Sequence, residues 1–383
     1  MDRLRTQTLE PARFVRTMRA LDALVAEGAA PGAVMGLWEA REPGVCRLAA
    51  VGSRRIVPSA QPMEERTPFD LASLTKVLAT ALLTARSVER GLLSWDTPVQ
   101  SVLPQFSSGS GIRIRHLLSH TSGQPAWKPF YETIRDRLGE GATGTRGLEK
   151  VSIARRQSLM RELVLAVEPE AKPGAKAVYS DLAFLTLGFV LEEIWKMPLD
   201  RAVEHGVWNP LGADLRFFRV DRGVEAGRRP EYAATEDCPW RGGVLQGQVH
   251  DDNCWSAGGY GGHAGAFGDA AAVLTVAAGL HEGAFLSHSA LSRMWTRVDE
   301  PPGCERTYGW DTPSGDMPSC GRHFSPTATV GHLGFTGTSL WIDLRAGIAV
   351  TLLSNRVHPT RENERFKPWR PRVHDALRED LGY

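Results

Sequence analysis

The chain predicts an α+β fold, an antiparallel sheet with flanking helices interrupted by an inserted, mostly helical lobe. Three observations carry that prediction. Apolar runs near the start, 32–39 and 45–51, read as an antiparallel strand pair. Two more, 339–343 and 347–354, read the same way near the end. The long middle shows helical spacing and loops instead. Residues 1–90 and 291–383 are therefore expected to form the sheet domain, with 91–290 as the helical lobe of a single unit.

Each element has its local reason. Residues 11–27 space Phe14, Val15, Met18, Leu21, Leu24 and Val25 at helical intervals and stop at Gly28 and Pro31. After the first strand pair, a helix opens at Ser73 and runs to about Arg90, where Gly91 ends it. Residues 112–120 enter a short helix closed by Thr121-Ser122-Gly123. Segment 154–167 is amphipathic, Pro173-Gly174 turns toward Tyr179-Ser180-Asp181, and 182–194 is helical. Asp269 caps a helix through Leu280, and 373–381 closes the chain as another. No internal repeat or low-complexity tract interrupts this order.

Composition excludes several function classes. The 383 residues are 42% hydrophobic and 23% charged, ordinary for a globular protein. With 45 basic and 44 acidic side chains, the formal charge of +1 offers no field for nucleic acid or an anionic membrane. The opening Met1 to Gln7 has no apolar core of a leader, and 270–280 is too short to span a bilayer, so a cytoplasmic location is expected. Five cysteines, an odd number without C-x-x-C, point to reduced thiols.

The chemistry starts at Ser73-Leu74-Thr75-Lys76. Positions three apart share a helix face, so the Ser73 hydroxyl lies beside the Lys76 amine. The same helix start offers backbone N–H groups to a developing oxyanion. Taken alone, the pair is equally a helix-start serine with a solvated lysine one turn on. Two further segments lift it: Val178-Tyr179-Ser180-Asp181 at a loop–helix junction, and the glycine-rich Val330-Gly331-His332-Leu333-Gly334-Phe335-Thr336-Gly337-Thr338-Ser339.

In that order these segments resemble the serine β-lactamase and penicillin-recognising superfamily. The similarity is to its class C-like branch, which includes esterases and D,D-peptidases. Passages 114–123, 262–267 and 354–359 also resemble stretches of that branch, so the likeness covers most of the chain. The resemblance implies a β-lactamase/transpeptidase-like fold, an α/β sandwich. It also implies Ser73 as nucleophile, Lys76 as proton acceptor or relay, and Tyr179 as proton carrier. Backbone N–H groups of Ser73 and Phe335 would form the oxyanion hole, and His332, Gly334 and Thr336 would line the substrate site. A free serine needs such a base, and a lysine serves only if its pKa falls to about 7–8.

Two departures from the family pattern matter. Asp181 stands where the family has Asn; a carboxylate near Lys76 favours its ammonium form and moves the base role toward Tyr179. His332-Leu333 stands where the family has Lys-Thr, and a neutral imidazole holds a carboxylate poorly. A small ester or amide is therefore the expected substrate, processed without cofactor or metal. A β-lactamase or D,D-carboxypeptidase is the alternative, and a non-turnover acylatable binder is the alternative of another class.

Other conspicuous residues have plainer readings. His116 and His120 lack a third metal ligand at suitable spacing and read as packing or capping groups. His250-Asp251-Asp252-Asn253 fits neither a calcium nor a zinc pattern and reads as a polar loop at the site rim. Gly259 to Ala264 fits a dinucleotide fingerprint formally, but no strand precedes it, so a loop near the cleft is expected. Trp127, Phe130, Tyr131 and Trp255 are candidate acyl-pocket aromatics.

Overall fold

The structure, a computed structural model, describes residues 4–106, 111–139, 147–224 and 226–383. Met1 to Arg3, part of the opening segment read above, lie outside them.

Across its width the central sheet runs Arg5–Thr8, Val45–Arg55, Gly32–Glu39, Ile348–Ser354, Thr338–Asp343 and Thr329–Gly334, with Gln61–Pro62 paired onto Val45–Arg55. Early and late strands meet at its centre, where Leu37 lies opposite Val350 and Met35 opposite Leu352. From Val45–Arg55 to Thr329–Gly334 every pairing is antiparallel, as expected. Arg5–Thr8 differs. It joins parallel, with Thr6 opposite Cys46, and is tied at its ends by Arg5 N–H to Gly44 O and Leu9 N–H to Leu48 O. A charged, mostly exposed edge strand carries no apolar alternation, which is why its sequence does not announce it.

Both faces of the sheet are covered, so successive residues enter opposite cores. On one face Ala33, Met35, Leu37, Val350 and Leu352 pack with Leu21, Leu24, Val373 and Leu377. Those last four belong to helices Val15–Ala26 and Trp369–Asp380, which are themselves joined by Thr17 donating to Asp380. On the other face Val34, Trp38, Leu48, Leu340 and Leu353 meet the helical lobe. Helix Ala270–His281 lies directly on the sheet although its sequence falls within 91–290. A Cβ on Gly36 would stand 2.9 Å from Leu274 Cδ1.

Within the lobe, helix Asp181–Trp195 is buried from Leu182 to Leu191. Its start is capped by Ser180, whose hydroxyl accepts from Ala183 N–H, which sets Tyr179 and Asp181 at a defined end of a rigid element. All five cysteines are free and buried. Among the described residues no helix is long and apolar enough to cross a membrane.

Leu352 is fully buried on the strand that joins the two halves of the sheet. Leu352→Ala should cost about 2–5 kcal/mol, read as a lower urea midpoint at unchanged denaturant slope.

Candidate active site

Ser73 sits on a tight turn between the short strand Phe69–Asp70 and the helix that follows. Three successive bonds wind it, Leu74 N–H to Leu71 O, Thr75 N–H to Ala72 O and Lys76 N–H to Ser73 O. Ala72, just before the serine, has φ of +48°, a region an L-residue avoids. Side chains hold it there. Asp70 accepts from Ala72 N–H, and Thr75 Oγ1 donates to Ala72 O while accepting from Ala266 N–H. The second Asp70 oxygen accepts from His250 N–H at 2.6 Å, and burial raises the Asp70 pKa. Beyond Lys76 the helix opens into one wide turn, with Ala81 N–H reaching back to Lys76 O, before continuing as Ala81–Glu89.

Lys76 is fully buried. Its Nζ donates to Ser73 Oγ at 2.9 Å and to His263 O at 3.1 Å, and it forms an ion pair with Asp181 Oδ1 at 2.7 Å. Burial pulls the Lys76 pKa down, but the Asp181 charge, followed by Tyr179, outweighs it and the net shift is upward. Lys76 is therefore an ammonium at neutral pH. The lowered lysine pKa that a lysine base requires is not met here, and the reason is the carboxylate at position 181.

Tyr179 lies between cations and rings. Lys76 Nζ is 4.9 Å from its ring centre and the Arg306 guanidinium 5.5 Å. His120 packs on one side at 4.6 Å and His332 at 5.9 Å. His120 also accepts from Ser180 N–H through Nδ1, so it fixes the segment that carries the phenol. His116 accepts from Arg113 N–H and caps its own helix. These are the packing and capping roles expected of the two histidines.

His332 is buried, and desolvation, with Lys76 and Arg306 adding to it, lowers its pKa to about 3. It is neutral, and Nδ1–H donates to Leu333 O at 2.8 Å. Nε2 is then an acceptor, and no partner among the described residues meets it.

The strand after His332 is strapped to the nucleophile turn. Thr338 Oγ1 donates to Leu71 O, and Thr336 Oγ1 donates to Asp70 O at 2.8 Å. Thr336, expected to line the substrate site, is buried and turned to this strapping bond instead. Gly334 passes so close that a Cβ would stand 2.0 Å from Thr338 Oγ1 and 2.7 Å from Leu71 O. Only glycine lets residue 335 come alongside Ser73 at the cleft.

These groups border a cleft of about 630 Å³, with Ser73, Tyr179, Asp181, His332 and Gly334 in its walls. The polar loop expected at the rim is there: His250, Asp251 and Asp252 line it. Asp251 pairs with His263 at 3.0 Å, which overcomes burial and lowers its pKa. The glycine-rich loop 259–264 contributes His263 and Ala264. Of the four candidate aromatics only Trp127 lines the cleft; Phe130 and Trp255 are core residues, and Tyr131 stacks between Trp127 and Trp240. Sequence reasoning missed Arg306, Arg356 and Arg370, since single arginines far apart in sequence carry no spacing signal. Among the described residues no cluster of three His, Cys, Asp or Glu could hold a metal.

A family model described as Beta-lactamase matches residues 17–370. The chain is 30% identical to a putative D-alanyl-D-alanine carboxypeptidase of Salmonella agona, over 79% of this chain and 72% of that protein. Against the same-named protein of Salmonella enteritidis the identity is 31% with the same coverage. Among solved structures it resembles EstCE1, a hydrolase with promiscuous acyltransferase activity, with TM-score 0.71, 23% identity and coverage of 96% and 99%. A penicillin binding protein from Bacillus halodurans superimposes with TM-score 0.63 and 21% identity, covering 87% of this chain and 94% of that one. The chain thus has the β-lactamase/transpeptidase-like fold expected from its sequence.

Gly334→Ala should lower kcat/KM on an activated ester about 10²–10³-fold and also lower the urea midpoint, because its Cβ displaces Thr338 Oγ1 and Leu71 O. A neutral buried His332 binds fewer protons folded than unfolded between pH 6.5 and about 3, so its contribution to stability is present above that window and lost as pH falls through it. His332→Gln should therefore flatten the acid limb of the unfolding free energy by up to about 1.4 kcal/mol per pH unit, measured by urea denaturation across pH.

Proposed function

This chain belongs to the Beta-lactamase family, and we propose that it is a serine hydrolase that forms an acyl-enzyme on Ser73 from a small ester or amide. The observation that carries the reading is the 2.9 Å contact between Lys76 Nζ and Ser73 Oγ at the wall of a substrate-sized cleft. The Ser73 oxygen attacks the carbonyl carbon, and its proton passes into the Lys76–Tyr179 pair. Because Asp181 holds Lys76 as an ammonium, the acceptor in that pair is Tyr179 as a phenolate, its own proton having left to solvent before the attack. Lys76 and Arg306 stabilise the negative charge that this step needs. Backbone N–H groups of Ser73 and Phe335 receive the oxyanion. Tyr179 returns the proton to the leaving group, and water then releases the acyl group.

The substrate side of the reading rests on His332 and Leu333. Penicillin-type substrates present a carboxylate to that strand, and a neutral imidazole showing a bare acceptor repels one. This favours ester or amide substrates without a carboxylate at that point. The names of the Salmonella relatives favour a D,D-carboxypeptidase as the second reading, and a non-turnover binder would acylate without releasing product.

Turnover of 4-nitrophenyl butyrate should vanish in Ser73→Ala, together with the mass adduct of a fluorophosphonate probe. Lys76→Ala and Tyr179→Phe should each cost about 10²–10⁴-fold in kcat. Wild-type turnover in Ser73→Ala would remove the nucleophile assignment. Nitrocefin hydrolysis as fast as ester turnover would overturn the substrate argument.

A further inference from the structure

We propose that the cleft carries an anion subsite built on Arg370 and Arg356, which takes a carboxylate borne by the substrate. The proposal rests on the hydrolase reading only for the identity of the reacting bond. The binding site itself stands on a charge inventory of the cleft walls.

Every carboxylate lining the cleft already has a side-chain partner. Asp181 is paired with Lys76, Asp251 with His263, Asp252 with Arg241 and Arg361, and Asp311 with Arg306. Lys367 is paired with Glu364. Arg356 and Arg370 remain. Both are more than nine-tenths buried, and neither has a carboxylate within ion-pair distance among the described residues.

Arg356 is partly committed, donating from Nε to Phe335 O and from Nη1 to Asn363 O, both at 2.8 Å. Arg370 has less. Its guanidinium rests on the Phe366 ring at 5.1 Å, and its buried Nε meets no acceptor. Burial lowers the Arg370 pKa to about 10, and the Arg356 charge adds to that. Two like charges thus line the cleft out of water; Arg356 feels one carboxylate, Glu364, whereas none offsets Arg370, which is costly.

Arg370 also stands in the first turn of helix Trp369–Asp380, where the positive end of the helix dipole adds to the attraction. A planar guanidinium with free donors fits a carboxylate two-pronged. This place is not the one His332 occupies. His332 stands on strand Thr329–Gly334, whereas Arg370 stands at the start of helix Trp369–Asp380 and rests on Phe366. A carboxylate is thus disfavoured at His332 and favoured at Arg370. A substrate fitting both is an ester or amide whose far end is an acid, such as a half-ester of a short dicarboxylic acid.

Two measurements test this. The first compares 4-nitrophenyl hydrogen glutarate with 4-nitrophenyl butyrate. Wild type should favour the anionic ester in kcat/KM by roughly 10–100-fold, mainly through KM. The anionic-to-neutral ratio should collapse in Arg370→Gln and recover in part in Arg370→Lys. A wild-type ratio at or below one, or a ratio unmoved in both variants, overturns the subsite. The second measurement needs no turnover. Disodium glutarate should raise the melting temperature of wild type above sodium chloride of equal ionic strength, and this rise should be lost in Arg370→Gln. Ester turnover without a glutarate effect sinks the subsite and leaves the hydrolase. A glutarate effect without acylation of Ser73 sinks the hydrolase and leaves the subsite.

Discussion

The buried ammonium of Lys76 is the constraint on which the site depends. Moving an isolated ammonium out of water costs several kcal/mol even after relaxation. Here it is tolerated because three segments distant in sequence supply acceptors: Ser73 Oγ on the same turn, His263 O on the glycine-rich loop and Asp181 Oδ1 at the start of a lobe helix. Asp181 in particular cannot withdraw without stranding the charge. The convergence of sheet domain and lobe at the cleft is thus enforced by electrostatics as well as by apolar packing. A carboxylate 2.7 Å away also keeps Lys76 charged, which is why the proton route proposed above runs through Tyr179.

The turn that carries Ser73 is held by strain that its neighbours over-determine. Ala72 in a left-handed conformation would relax if its surroundings allowed it. Asp70, Thr75, Thr336 and Thr338 clamp that turn between the helix, the strand Ala266–Gly268 and the strand ending at Gly334. The serine is consequently presented in one orientation before any substrate arrives.

Much of this was legible in the chain. The antiparallel sheet split between early and late segments followed from apolar runs at 32–39, 45–51, 339–343 and 347–354, because strands covered on both faces read as near-continuous apolar runs. Ser73, Lys76, Tyr179, Asp181 and His332 meet at one cleft, as the family resemblance implied, and the effect of a carboxylate at 181 on the lysine followed from Coulomb's law alone. Three things were not legible. Arg5–Thr8 is an exposed edge strand without an apolar face. Thr336 looks substrate-facing by motif position, but its direction depends on where Asp70 O lies, two hundred and more residues away in the chain. Arg370 acquires meaning only beside Arg356, and nothing local records that neighbourhood.

The central pairing of Gly32–Glu39 with Ile348–Ser354 has a consequence for biosynthesis. During translation the hairpin formed by Gly32–Glu39 and Val45–Arg55 emerges while the whole lobe is still to be made, and one edge of Gly32–Glu39 has no neighbour until the late strand leaves the ribosome. That bare, apolar edge is a template for wrong partners in other nascent chains. Yield in cells should therefore be governed by how long this edge stays uncovered, making translation speed and chaperone occupancy, rather than final stability, the quantities that limit expression.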